Sequence, residues 1–339
     1  LLVVCVVAAV AGAATVVVLR RLGPPGDTAA RLVPTDALAY VNVYLRPSLE
    51  QRKQLRSFLE AAGVADSDHK AGEVVGALAD EAVAAVGLSF ADDVQPWAGD
   101  QIAAFFVPSA EGGRPAGAVM IAADDVAGAR AAADAVLARA GGRVEQVGAG
   151  YRNAGTVATT IVDEWLVAGD EAAVRGALRA VEGASLQDEE RFTEAISDLE
   201  DDRLALGYLD GGQLGRSSTL GFVGAATTAG VVLTARDGAL VLRTASDGGI
   251  GLPAALLVFA AEAGATEAPA EAGSRLADGY RVEGYLEGGE LRRLVDGLAG
   301  GAGVAGGPEV RAFIGSISYL VMGTKNEGDK TFVEVVVGT

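Results

Sequence analysis

Residues 204–216 read LALGYLDGGQLGR and residues 282–293 read VEGYLEGGELRR; the two share the pattern Gly-Tyr-Leu-acid-Gly-Gly-x-Leu. Residues 37–55, ALAYVNVYLRPSLEQRKQL, are a looser relative. Self-similarity of this kind marks a supersecondary unit used more than once. In the first copy Ala39, Val41, Val43 and Leu45 share one face of an extended strand, because successive side chains alternate. Leu55, Phe58, Leu59 and Ala62 then recur at i, i+3, i+4 and i+7, as do Leu291, Leu294, Val295 and Leu298 in the third, which predicts amphipathic helices laid on a sheet.

Two of the units are followed by paired strands. Residues 231–235 and 239–244 flank Arg236-Asp237-Gly238, where Asp-Gly supplies the positive backbone angles of a tight hairpin. Residues 313–322 and 331–337 flank the turn at 325–329 in the same way. In the first unit the matching pair is 101–107 and 116–122, after an extra helix carrying Val75, Leu78, Ala82 and Val86. Helices at 126–140, 171–181 and 192–199, with strands near 144–151 and 156–167, fill the interval between the first and second units. The expected fold is α+β: repeated strand-helix-hairpin units with mostly antiparallel sheet. Length suggests roughly two domains of about 150 residues, divided here as 32–202 and 203–339. Residues 250–261 are too short an apolar run to span a bilayer and read as a buried helix starting near Pro253, with an exposed loop at 266–273.

Ahead of the body, residues 1–19 (LLVVCVVAAVAGAATVVVL) carry no charge. A helix of that length reaches roughly 28 Å, close to the hydrocarbon thickness of a bilayer. This reads as an N-terminal transmembrane anchor over 1–21, followed by a linker over 22–31 in which Gly23-Pro24-Pro25-Gly26-Asp27 cannot continue a helix. Ala11-Gly12-Ala13 has the look of a cleavage site, but the apolar run continues past it. The chain opens on Leu1 rather than Met, which suggests a basic leader ahead of it. Arg20, Arg21 and Arg31 favour a cytoplasmic body, yet large domains translocate largely regardless of charge, so the residues leave orientation open.

Composition narrows the function classes. With 27 Lys and Arg against 45 Asp and Glu, the net charge is −18, and no basic stripe is present to neutralise phosphates, so nucleic acid is not an expected partner. The single cysteine, Cys5, excludes an intrachain disulfide. The single histidine, His69, excludes a multi-histidine metal site, and its neighbours Asp66 and Asp68 make only a weak cation cluster. Residues 301–306 match a dinucleotide pattern letter for letter, but they follow a predicted helix and run into Gly307-Pro308 instead of opening a helix. Gly211-Gly212 and Gly288-Gly289 read as backbone requirements of turns.

Carboxylate pairs could hold a hard cation or do acid/base work where their oxygens converge. Asp124 and Asp125 are placed to cap the helix starting at Val126, and Asp163-Glu164 to make a hairpin turn. Asp201-Asp202 is another such pair. The pocket candidates are Asp92, Asp93, Trp97 and Asp100; the pairing that stands out is Asp100 beside Trp97, because an aromatic plate next to a carboxylate can line a pocket, although core packing is the stronger expectation for Trp97. No catalytic set, cofactor site or metal site is expected.

Residues 32–41 (LVPTDALAYV), 47–51 (PSLEQ) and 93–101 (DVQPWAGDQ), behind an apolar stretch, resemble the bacterial family known as domain of unknown function 3352, a set of membrane-anchored proteins. Arg46 departs from it, standing where an acidic residue is expected. The resemblance implies no activity, cofactor or catalytic residue, and it implies a body outside the membrane. The function expected is thus a single-pass, membrane-anchored envelope protein, not an enzyme, whose extracytoplasmic body binds or scaffolds another envelope protein or a small ligand. A carboxylate-dependent hydrolase or divalent-cation protein is one alternative, and a carrier of an apolar ligand is the other.

Overall fold

A computed structural model describes residues 26–63, 83, 88–108, 114–141, 144–147, 150–213, 228–247, 269, 273–289 and 316–339. Among the described residues thirteen strands form one sheet: β1 (Ala39–Tyr44), β2 (Ala98–Val107), β3 (Ala116–Ala123), β4 (Glu145–Val147), β5 (Tyr151–Ala154), β6 (Val157–Val162), β7 (Trp165–Asp170), β8 (Ala205–Asp210), β9 (Thr228–Arg236), β10 (Ala239–Asp247), β11 (Arg281–Glu287), β12 (Tyr319–Glu327) and β13 (Lys330–Gly338). Their order across the sheet is β11-β12-β13-β10-β9-β8-β1-β2-β3-β7-β6-β5-β4. Every neighbouring pair is antiparallel.

The repeats account for this order. Each unit contributes a three-stranded meander, β1-β2-β3, β8-β9-β10 and β11-β12-β13. The first two units join through their first strands, with Tyr40 opposite Tyr208, and the second and third join through their last strands, with Ala245 opposite Phe332. The meander β4 to β7 hangs on β3. The division of the sequence between Asp202 and Arg203 falls at the entry to β8, and the hydrogen-bonded ladder is continuous across it.

Turn chemistry fixes the hairpins. Asp237 and Gly238 (φ 53° and 71°) close β9 on β10, and Asp163 and Glu164 (φ 49° and 64°) close β6 on β7, as their sequence implied. The expected strands at 144–151 and 156–167 each divide in two, and β12 runs on to Glu327, so its hairpin turn shrinks to Gly328 and Asp329.

Helices cover both faces of the sheet. On one face lies α1 (Leu49–Ala61), capped by Ser48, whose Oγ accepts from Gln51 N at 3.1 Å; its Leu55, Phe58 and Leu59 pack with Val41, Val43 and Leu233. Beside it α2 (Val126–Ala140) starts at Asp125, which accepts from Ala127 N at 2.9 Å. It lies so close to Trp97 that a Cβ on Gly128 would stand 2.6 Å from the Trp97 Cβ. On the other face α3 (Glu171–Glu182) and α4 (Glu190–Ile196) pack with Tyr40, Phe105 and Tyr208. The expected helix at 192–199 thus begins earlier and ends at Ile196. Because both faces are covered, β1 and β8 are buried at all six of their positions, unlike the half-wet antiparallel sheet that alternation alone suggests.

Asp27, inside the stretch expected to be a linker, is already part of the folded body. Ala29, Ala30 and Leu32 are buried, and Ala30–Leu32 form a 3-10 turn. The apolar stretch 1–19, the helix around Val75 to Val86 apart from Val83, the apolar run 250–261 and the glycines 301–306 lie outside the described residues. So do the apolar helical positions Leu291, Leu294, Val295 and Leu298. Among the described residues no helix is long and apolar enough to cross a membrane.

Candidate functional site

On β1 the sequence Tyr40-Val41-Asn42-Val43-Tyr44 puts Tyr40, Asn42 and Tyr44 on one face, and all three are buried. Polar groups there need partners, since burying an unpaired amide or hydroxyl costs on the order of 1–3 kcal/mol. Asp27 supplies them: its Oδ1 accepts from the Tyr40 hydroxyl (2.7 Å), Asn42 Nδ2 (2.9 Å), and the backbone N–H of Ala29 (3.1 Å) and Ala30 (3.2 Å). Gln101, buried on β2, accepts from Asn42 Nδ2 at 2.8 Å and donates to the Gly26 carbonyl at 3.0 Å. The entering chain is thereby clamped to the middle of the sheet.

The polar groups continue along the same face. Arg203 Nε donates to the Tyr44 hydroxyl at 3.4 Å, its guanidinium lies 5.8 Å from that ring's centroid, and its Nη1 donates to the Glu200 carbonyl at 3.3 Å. The Glu200 carboxylate pairs with Arg243, which also reaches Glu334 Oε2 through Nε (3.1 Å) and Nη2 (2.5 Å). Glu334, 0% exposed, further accepts from Arg236 Nη2 at 3.0 Å and from Ala277 N at 2.8 Å. A seam of polar contacts therefore runs from the point of chain entry to the β11–β13 unit.

Burial dominates the electrostatics of this seam. It pushes the Asp27 carboxyl up, against the hydrogen bonds of Tyr40 and Ala30 and the charge of Arg203. It drives the Tyr40 hydroxyl well up and the Tyr44 hydroxyl to about 12, with the Asp27 charge acting in the same direction. Burial works against the Arg243 guanidinium, but Glu334 and Glu200 hold its pKa above the ordinary value.

The residues anticipated as pocket candidates are engaged in local contacts. Asp92 and Asp93 lie on a single π-type turn, Phe90–Val94, where Ser89 Oγ accepts from Asp92 N at 3.4 Å. Asp93 Oδ2 accepts from Ser89 N at 2.9 Å and from Arg139 Nη2 at 3.0 Å, and the Ser89 amide first, then Arg139, hold its carboxyl below the usual range. Trp97 is buried against Gly128 and donates its indole N–H to the Asp93 carbonyl. Asp100, on β2, gives its carbonyl to Leu45 N at 2.7 Å. Asp93 and Trp97 are thus in contact, through the Asp93 backbone rather than its carboxylate.

Two of the other paired carboxylates, Asp124 and Asp202, are also occupied. Asp124 pairs with Arg46 at 2.7 Å, which gives the unexpected arginine a partner, and Asp202 accepts from Ser48 at 2.9 Å. Among the described residues no three Asp, Glu, His or Cys side chains gather where they could hold a metal ion, and Asp66, Asp68 and His69 lie outside those residues. A shallow cavity of about 480 Å³ opens beside the β9–β10 turn, and Arg236, Asp237, Arg275 and Asp278 share its lining with Leu276 and Val241.

Sequence reasoning missed Asp27 and Glu334. Their signals were an acid following a Pro-Gly turn, an Asn in the centre of an otherwise apolar strand, and a lone acid in the run Phe332-Val333-Glu334-Val335-Val336.

A single antiparallel sheet, clad by helices on both faces and crossed by an internal polar seam, defines an α+β protein whose buried charges secure chain segments. Residues 1–229 match the family described as Protein of unknown function (DUF3352), and the chain belongs to that family. Among solved structures it is similar to crystal form I of TP0453, with 11% identity and a TM-score of 0.38 over 94% of this chain and 93% of that one. For crystal form III of TP0453 the values are 10% and 0.38, over 94% of each chain. No curated protein matches.

Proposed function

We propose that this protein is a membrane-tethered, non-catalytic body on the extracytoplasmic side, which binds or scaffolds another envelope component. The observation that carries this reading is the Asp27 clamp. It secures the chain to the centre of the sheet within a few residues of the uncharged stretch 1–19, so that a tether there would pull on the middle of the body rather than on a loose end. The buried acids Asp210 and Glu334 are likewise engaged in pairing elements of the body to one another. A chain of net charge −18, with that excess of acid in the body, is repelled by anionic headgroups, which favours a domain held clear of the surface.

The test has two arms. Protease added to intact cells should degrade the body, and a pull-down from membranes with residues 1–21 replaced by an unrelated anchor should recover a reproducible partner. A body protected until lysis would overturn the orientation. Absence of any partner across repeated pull-downs would overturn the scaffolding role.

A further inference from the structure

Asp27 binds unevenly: four donors converge on Oδ1, while Oδ2, shut off from solvent, has no partner. Asn42, 0% exposed, shows the complementary asymmetry. Its Nδ2 serves both Asp27 and Gln101, and its Oδ1 is buried without a partner. Two side chains already joined by a hydrogen bond thus have two acceptors left and no donor of their own in a dry place, an arrangement that native interiors avoid. One proton removes the conflict. A neutral carboxyl offers an O–H donor, and an amide oxygen accepts it. Together with the existing Nδ2–H to Oδ1 bond, that would close a two-bond acid–amide ring.

We propose that Asp27 is a protonation latch: as a neutral acid it bridges to Asn42 and fixes residues 26–33 to the sheet, and loss of the proton loosens that segment. The groups facing the carboxyl are few. β1 presents the hydroxyls of Tyr40 and Tyr44, neutral below alkaline pH, and β2 presents the Gln101 amide. Among the described residues Arg203, ahead of β8, is the cation that acts on it and favours the anion, but it is held by Tyr44 and the Glu200 carbonyl.

The sign follows from linkage. A carboxyl whose folded pKa lies above its ordinary 3.8 adds stability that is complete below that value and is lost as pH rises through the folded value. In that window the closed latch weakens by up to about tenfold per pH unit. What is released is, on the tether reading above, the link between membrane and body. The latch itself belongs to the folded body and stands or falls separately.

Hydrogen exchange over residues 26–33 tests it, on the full-length chain in detergent micelles at pH 5 to 8, corrected for intrinsic rates. The expected wild-type result is an opening equilibrium that rises with pH. Asp27→Asn, whose amide N–H takes the place of the acid O–H, should give a flat profile and protection at pH 8 at least equal to wild type. A flat wild-type profile, or Asp27→Asn less protected than wild type at pH 8, overturns the latch and makes the buried group an anion solvated by trapped water. A second measurement needs no variant stability: an infrared band of a protonated carboxyl persisting above pH 5, where exposed acids have ionised, supports the latch, and its absence overturns it. None of these outcomes depends on which side of a membrane the body occupies.

Discussion

β8 and β11 carry nearly the same words, Gly207-Tyr208-Leu209-Asp210 and Gly284-Tyr285-Leu286-Glu287, and live in different surroundings. β8 is paired on both sides, by β1 and β9, and is buried throughout. β11 ends the sheet, pairs with β12 alone among the described residues, and is interrupted by a bulge between Val282 and Gly284. Tyr208 meets Phe192 edge-to-face at 5.4 Å in the core, whereas the half-buried Tyr285 stacks on Tyr319 at 6.4 Å. Asp210 is buried and paired with Arg191 at 2.8 Å; Glu287 is exposed. The shared pattern therefore determines a strand and the helical turn after it, while sheet position determines what each side chain does. The bulge and the charges of Arg281 and Glu283 on β11 are the usual means of keeping an edge from pairing with another chain.

The comparison breaks if the two tyrosines weigh the same. Tyr208→Ala empties a site enclosed by the strands on either side of β8 and a helix, and should cost about 3–5 kcal/mol in equilibrium chemical unfolding. Tyr285→Ala, at the edge, should cost about 1 kcal/mol. Equal losses would mean that β11 is as enclosed as β8.

The acids give a smaller and sharper contrast. Asp210 both pairs with Arg191 and accepts from Gln213 N at 2.8 Å, so Asp210→Ala leaves an amide at a helical turn without its cap. Arg191 is exposed enough to be rehydrated, which limits the loss to about 1–2 kcal/mol. Glu287→Ala should stay within about 0.5 kcal/mol, as exposed substitutions do. Both values come from the same unfolding curves, and a Glu287 variant as damaging as Asp210→Ala would remove the distinction between centre and edge.

Much of the architecture was legible because strands, helices and hairpins are local events. The alternation at Ala39 to Leu45, the spacing of Leu55, Phe58 and Leu59, and Asp237-Gly238 each reported on their own neighbourhood. Sheet order was not legible, because the pairing of β1 with β8 joins residues far apart in the chain and no local period encodes which first strand meets which. The same physics hid the polar seam. Asp27 looked like part of a flexible linker since its partners, Tyr40, Asn42 and, through Asn42, Gln101, come from strands that only the assembled sheet brings together. Trp97 was read as the neighbour of an acid, but the acid singled out was Asp100, whereas the contact found runs to the backbone carbonyl of Asp93.

The first copy extends the comparison to the least expected loss. Tyr44, at the end of β1, lies on the sheet face that Tyr40 shares with Tyr208, and the hydroxyls of Tyr44 and Tyr208 are both raised by burial, Tyr44 to about 12. A folded-state value above the ordinary 10 means that the neutral phenol is favoured by folding; its contribution is intact below pH 10 and declines as pH climbs toward 12. The native protein should therefore weaken between pH 9 and 11, and Tyr44→Phe, which keeps the ring beneath Arg203 and removes the ionising hydroxyl, should reduce the slope by about 1 kcal/mol per pH unit. Tyr40 and Tyr208 retain their own contributions, so the slope shrinks rather than vanishes. Unfolding curves at pH 9, 10 and 11 decide it. An unchanged slope in Tyr44→Phe would mean that the hydroxyl reaches water, and that the center of the sheet is less dry at β1 than at β8.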